Sequence, residues 1–196
     1  MLTFDIEKEL KRFFKKNFKE LIIVCPFISL NGIEAVFKHI NNLKHKKIIV
    51  VTRWRKLDII TGVSDLRVYT FLKKKHVKLF HHDKIHSKIL LTDRKLCFFG
   101  SANITEAGLG IGSISNIELN GTAIIKKQEY LRVKKIIDES ILIDDVFYSG
   151  MCKLKKDNIK LFNEVKKIKK KHKEKHDWEE FLGQAINKEE IINKWL

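Results

Sequence analysis

With 196 residues and a formal net charge of +16, the chain is long enough to bury one real core and too basic to work without an anionic partner or surface. Its 44% hydrophobic and 33% charged residues exclude a disordered or fibrous chain. The 3 cysteines, Cys25, Cys97 and Cys152, show no C-x-x-C pairing, which excludes a cysteine metal site and a disulfide framework and fits reduced thiols.

Residues 4–18 carry Phe4, Ile6, Leu10, Phe13, Phe14 and Phe18 at helical spacing. An amphipathic helix is expected there, and the stretch lacks the unbroken apolar run of a signal peptide. Residues 21–25 form a continuous apolar run ended by Pro26, as expected of a strand buried on both faces. The wider stretch 21–30 is too short to span a bilayer. Ser29 or Asn31 can cap a helix to about residue 42, residues 47–52 are the next strand, and Ser64 with Asp65 can cap a helix to about residue 75. Residues 77–80, 88–92 and 96–99 read as short strands, the last two joined by a tight turn at Asp93 and Arg94. A strand over 118–125 follows, then a helix over 128–139 with Tyr130, Leu131, Val133, Ile136 and Ile137 apolar.

Strands alternating with helices predict an α/β fold, a sheet flanked by helices on both faces. The composition shifts after residue 150, where 166–175 holds seven lysines and one glutamate. The expected organisation is a domain over 1–150 and a lysine-rich helical C-terminal extension over 151–196. The protein is expected to be soluble and cytoplasmic, without a membrane partner.

His86, Lys88, Asp93, Gly100, Ser101 and Asn103 spell H-x-K-x4-D-x6-G-S-x-N, and Asn116 with Glu118 adds N-x-E. Cleaving a phosphodiester needs a nucleophile, charge stabilisation on the non-bridging oxygens and a proton for the leaving alkoxide. This set offers an imidazole, an ammonium and uncharged donors. The pattern resembles the signature of the phospholipase D superfamily, and the resemblance covers about residues 20–140. It implies a phospholipase D-like mixed β-sheet and a histidine that attacks phosphorus to form a covalent phosphohistidine. A second histidine then protonates the leaving group and activates water; no metal or other cofactor takes part.

On that resemblance His86 is the nucleophile, and Lys88, two residues along one strand, faces the same side. Ser101 and Asn103 add donors at the end of the next strand, and Glu118 is expected to accept a hydrogen bond from His86. Asn116 is a further candidate, in the site or holding the lead-in to its strand. Asp93 is another, although its place a whole strand from His86 suits a turn better. One motif leaves the chemistry one histidine short, so the resemblance implies a homodimer that pairs two copies of His86.

Arg53, Trp54 and Arg55 end the strand over 47–52 and are candidate substrate-binding residues. Either the arginines grip phosphates and Trp54 stacks on an unpaired base, or Trp54 packs under the loop with the arginines solvated. Nucleic acid is therefore the expected partner, DNA ahead of RNA, and an endonuclease the expected activity. Two other classes compete: an enzyme acting on phospholipid diesters, and a nucleic-acid-binding module without turnover, against which the intact motif argues. Restriction endonucleases of the superfamily join such a domain to a separate DNA-recognition domain, for which the residues after 150 are too few. Either the lysine-rich extension supplies binding, or recognition comes from a separate specificity or restraining partner, or cleavage is nonspecific.

Three lookalikes are set aside. His81, His82 and Asp83 with His86 fit no standard zinc spacing, so no metal is assigned and the two histidines are placed at the mouth of the site. His172 and His176 flank Glu174 in the wrong order for H-E-x-x-H. Gly108, Gly110 and Gly112 do not follow a strand within a βαβ unit and read as a loop beside the site.

Overall fold

In chain order the elements are β1 (Leu2–Thr3), α1 (Ile6–Phe14), β2 (Glu20–Val24), α2 (Leu30–Phe37), a 3-10 turn (Leu43–His45), β3 (Lys47–Thr52), α3 (Lys56–Ile60), α4 (Arg67–Lys74), β4 (Lys78–His81), β5 (Ile89–Thr92), β6 (Leu96–Gly100), α5 (Glu106–Leu109), β7 (Asn120–Ile124), α6 (Lys127–Asp138), β8 (Ile141–Leu142) and α7 (Asp145–Asp157). The computed structural model describes residues 2–160, 163–164 and 167–168, so most of the lysine-rich extension, 169–196, lies outside the described residues.

The strands make one eight-stranded sheet in the order β1-β7-β6-β5-β2-β3-β4-β8. β2, β3 and β4 run parallel, and every other pairing is antiparallel, so the sheet is mixed. The apolar run predicted for 21–25 explains why β2 is central. Leu21 and Ile23 enter a core with Phe13 of α1, Phe37 of α2 and Leu72 of α4. Ile22 and Val24 enter a second core on the other face, with Val133 of α6. All four strand residues are fully buried, and each contributes about 1.5–3 kcal/mol by leaving water. The expected helices on both faces are present, with the second face covered by α6.

Local chemistry moves several boundaries. The Asp5 carboxylate caps α1 by accepting the Lys8 N–H at 3.0 Å, so the helix starts at Ile6. Phe4 stays outside it at 71% exposure, and Leu2 and Thr3 pair with β7. Ser29 caps α2, its Oγ accepting the Gly32 N–H at 3.1 Å, while Asn31 donates to Glu106. α7 begins at Asp145 behind an Asp144 cap, runs through position 150, and packs Phe147, Tyr148 and Met151 on the first core. Among the described residues no helix is long and apolar enough to cross a membrane.

Candidate active site

The site forms where β5 begins and β6 ends. Ile85 is buried and anchors the loop before β5, leaving His86 exposed and Lys88 half-buried. Both lie ahead of the strand, which starts at Ile89. The Lys88 ammonium turns back to donate to the His86 carbonyl oxygen at 2.8 Å. On the neighbouring strand the Gly100 N–H donates to the Lys88 carbonyl at 3.4 Å, which brings the two halves of the motif side by side.

Beyond Gly100 the chain pairs with the lead-in to β7. The Ser101 N–H donates to the Leu119 carbonyl, and the Leu119 N–H donates back to Ser101 Oγ at 3.1 Å. Ser101 gives its hydroxyl proton to Glu118 Oε2, and the Asn116 amide donates to Glu118 Oε1 at 2.9 Å. The Glu118 carboxylate is therefore bonded to Ser101 and Asn116, where the sequence pattern predicts His86. The register explains this: Leu119 pairs with Ser101, which sets Glu118 against the serine hydroxyl.

Asn103 stands over Cys25. Its Oδ1 lies 3.7 Å from Cys25 Sγ, leaving its amide NH2 for another acceptor. Cys25 Sγ also accepts the Ile104 N–H at 3.3 Å. Burial pushes the Cys25 thiol up to about 11, with the nearby Lys88 charge pulling the other way, so it stays a neutral thiol beneath the ammonium. Gly108 in α5 packs on the Asn103 backbone, where a Cβ would come 2.3 Å from the carbonyl oxygen. The glycine-rich stretch thus seats Asn103, and Gly110, at φ +70°, closes α5 and turns the chain back toward Asn116.

No protein-family model matches the sequence, and no curated protein matches it. Solved structures do share its fold. NucT from Helicobacter pylori superposes with a TM-score of 0.56 at 14% identity, covering 71% of this chain and 91% of that one. Nuc from Salmonella typhimurium, a phospholipase D family member, gives a TM-score of 0.54 at 12% identity over 70% of this chain and 90% of that one. The chain has the phospholipase D fold. Phosphatidylserine synthase from Haemophilus influenzae Rd KW20 shares it with a TM-score of 0.53 and 12% identity, over 82% of this chain and 41% of that one. At such identities the likeness is one of fold.

Within this phospholipase D fold Asp93 takes the turn role that its spacing favoured, while Trp54 and Arg53 serve the fold. Asp93 stands at the far end of β5 from His86, and the strand alone puts about 13 Å between them at a strand's rise. Its Oδ1 accepts the Lys19 and Glu20 N–H groups at 3.0 and 3.3 Å, so it ties the turn to β2 rather than joining the site. Trp54 is 1% exposed and packs in the first core, which removes it as a stacking platform for a base. Arg53 makes a two-pronged ion pair with Asp58 at 2.8 and 3.1 Å and lies over the Phe27 ring, so its charge is spent inside the fold.

Arg55 has a role that sequence reasoning missed. Its guanidinium donates to the Asp83 carbonyl and faces the Asp83 carboxylate at 3.9 Å. The same carboxylate receives His81 Nε2 at 3.1 Å, while His81 Nδ1 accepts the Trp54 N–H at 3.0 Å. With Nδ1 an acceptor, the proton sits on Nε2 and the ring is neutral. Trp54 and Arg55 thereby clamp the loop that carries His86. The available signal was an aspartate three residues before the histidine. Among the described residues no group of three or more His, Cys, Asp or Glu is placed to hold a metal ion.

The buried imidazole sets a pH dependence. Desolvation holds His81 below its ordinary pKa, with Asp83 opposing, and His39 is lowered by burial as well. The unfolded chain takes up these protons near pH 6.5, before the folded chain does, so stability falls as pH drops below that value. Thermal melts are expected to give a lower Tm at pH 5.5 than at 7.5. His81→Asn, which cannot charge, is expected to narrow the gap; an unchanged gap would clear His81 of this effect.

Proposed function

We propose that this chain is a metal-independent phosphodiesterase, an endonuclease that hydrolyses DNA in the cytoplasm through a phosphohistidine on His86, with two copies of the chain completing each site. One arrangement carries the reading: an exposed imidazole, the Lys88 ammonium and the Ser101–Asn103 segment gather at one rim of the sheet, at the spacing of the H-x-K and G-S-x-N motif. An imidazole nitrogen of His86 attacks phosphorus while the bond to the leaving oxygen breaks, and the second copy's His86 gives that oxygen its proton. That second imidazole, now neutral, takes a proton from water as the water oxygen attacks phosphorus and the N–P bond breaks.

The Lys88 ammonium balances the negative charge that builds on the phosphoryl oxygens in the transition state, and the Asn103 amide adds donors. Ser101, whose proton is committed to Glu118, positions Glu118 and Asn116 unless substrate turns its hydroxyl. An apolar rim supports the paired arrangement. Ile117, 93% exposed between Asn116 and Glu118, is joined by exposed Ile111, Ile114 and Leu119, a surface that a second copy would cover.

The deciding assay is cleavage of end-labelled single- and double-stranded DNA in excess EDTA. Cleavage is expected without added metal. Cleavage that appears only with magnesium overturns the mechanism, and hydrolysis of RNA or phospholipid in place of DNA overturns the substrate.

A further inference from the structure

At the opposite end of the parallel strands from His86 lies a second charged feature. Two hollows, of about 840 and 470 Å³, meet at Phe14, Lys15 and Asn41 and form one groove between α1, the end of α2 and the 3-10 turn. Lys8, Lys15, Lys16, Lys19, Lys38 and Lys46 line it. We propose that this groove binds the phosphate backbone of nucleic acid, at a site separate from the one containing His86.

The charge balance is the first argument. Three carboxylates border the groove, and each is engaged within or beneath α1. Asp5 caps the helix. Glu7 pairs with Lys11 at 2.8 Å. Glu9 is buried, accepts from Thr122 at 2.7 Å and faces Arg12. Among the described residues none of the six lysines lies within ion-pair distance of a carboxylate. Two helix C-termini end here, each worth about half a negative charge, so they offset about one cation of the six. The remaining positive field is focused by a concave, low-dielectric wall.

The second argument is order. Lys46 is pinned by the Phe18 carbonyl at 2.8 Å and the Asn17 side chain at 3.4 Å, with its ammonium 4.1 Å from the Phe18 ring. The fold holds this cation with neutral groups and leaves its charge uncancelled, as a fixed phosphate contact requires. The Asn17 and Asn41 amides add neutral donors for phosphate or sugar oxygens. A flat anionic membrane suits the groove poorly, because its aromatic floor, Phe14 and Phe18, is buried and offers nothing to insert. β2 alone puts about 17 Å between the groove and the His86 rim, about five phosphates along one strand of a duplex.

The test is equilibrium binding of the full-length chain to a fluorescein-labelled mixed-sequence DNA duplex of about 30 base pairs. A His86→Ala background prevents turnover, which makes the outcome independent of the hydrolysis reading. The triple variant Lys15→Glu/Lys19→Glu/Lys38→Glu is compared with Lys74→Glu/Lys126→Glu/Lys127→Glu, which changes net charge equally at exposed positions elsewhere. The groove variant is expected to weaken binding at least tenfold and to lower the salt slope by about two to three, while the control shifts Kd by less than threefold. Equal weakening by both, or by neither, overturns the proposal, as does a groove variant that loses binding only to phosphatidylserine vesicles. Circular dichroism checks folding, and the milder Lys→Gln triple at the same three positions replaces the reversal if it unfolds.

Discussion

His86→Ala is expected to reduce DNA cleavage by about 10⁴-fold or more, the scale on which loss of a covalent nucleophile is felt, while Kd for the same DNA stays within twofold. The separation follows from where the residue sits. His86 is exposed, and among the described residues the hydrogen bond that ties it to the site runs through its carbonyl oxygen to Lys88. Removing the imidazole therefore leaves the Lys88 ammonium, the Ser101–Glu118–Asn116 cluster and the basic surface in place. Stability is expected to change by less than about 0.5 kcal/mol, as for other exposed positions. Gel assays of end-labelled DNA in EDTA read the first effect, and anisotropy reads the second. A variant that cleaves at the wild-type rate would remove His86 from the chemistry and with it the phosphohistidine. A variant that neither binds nor melts like wild type would instead make His86 a structural residue.

The sheet's centre was legible because burial on both faces writes itself as unbroken apolar runs, in 21–25 and in 47–52. Edges write nothing of the kind. β1 and β8 span two residues each, too few for alternation to register, and α3 and α5 span five and four, about one turn. For the candidate site, spacing singled out His86, Lys88, Ser101 and Asn103, because a motif fixes positions along the chain. It fixed partners less well. Glu118 bonds to Ser101 rather than His86 because the β6–β7 register sets that pairing, and register is a tertiary property. Trp54 between two arginines read equally as a stacking platform or a packed residue, and the end of β3 turns it into the core. Its neighbours serve the fold in the same way, Arg53 through Asp58 and Arg55 through Asp83. The clamp on the His86 loop was invisible for a related reason: it joins residues about 28 apart, and each of them is ordinary on its own.

Gly100→Ala is expected to cost the fold about 3 kcal/mol or more, at the upper end for overpacking. A Cβ at Gly100 would lie 2.2 Å from Asn120 Oδ1, 2.5 Å from the Leu119 carbonyl oxygen and 2.7 Å from Asn120 Cα. Two of those three atoms are backbone of the partner strand, and Gly100 pairs directly with Asn120, so rotamer changes cannot relieve the clash. The Asn120 side chain has no room to yield either: it is 1% exposed, and among the described residues its amide has no hydrogen-bond partner. β7 must move away, and the first bonds to go are those between Ser101 and Leu119, which hold Glu118 at the site. A Tm loss of about 6–12 °C follows from the usual scaling for a chain of this size, and cleavage should fall with it even below the melting range. Gly150→Ala gives the contrast. Gly150 lies within α7, and a methyl group added there would meet nothing within 4 Å among the described residues, so that exchange is expected to raise stability by about 0.5–1 kcal/mol through helix propensity. Calorimetry on the pair checks both signs, and a Gly100→Ala protein that melts with wild type would mean that β7 does not pack against Gly100 as closely as the register requires.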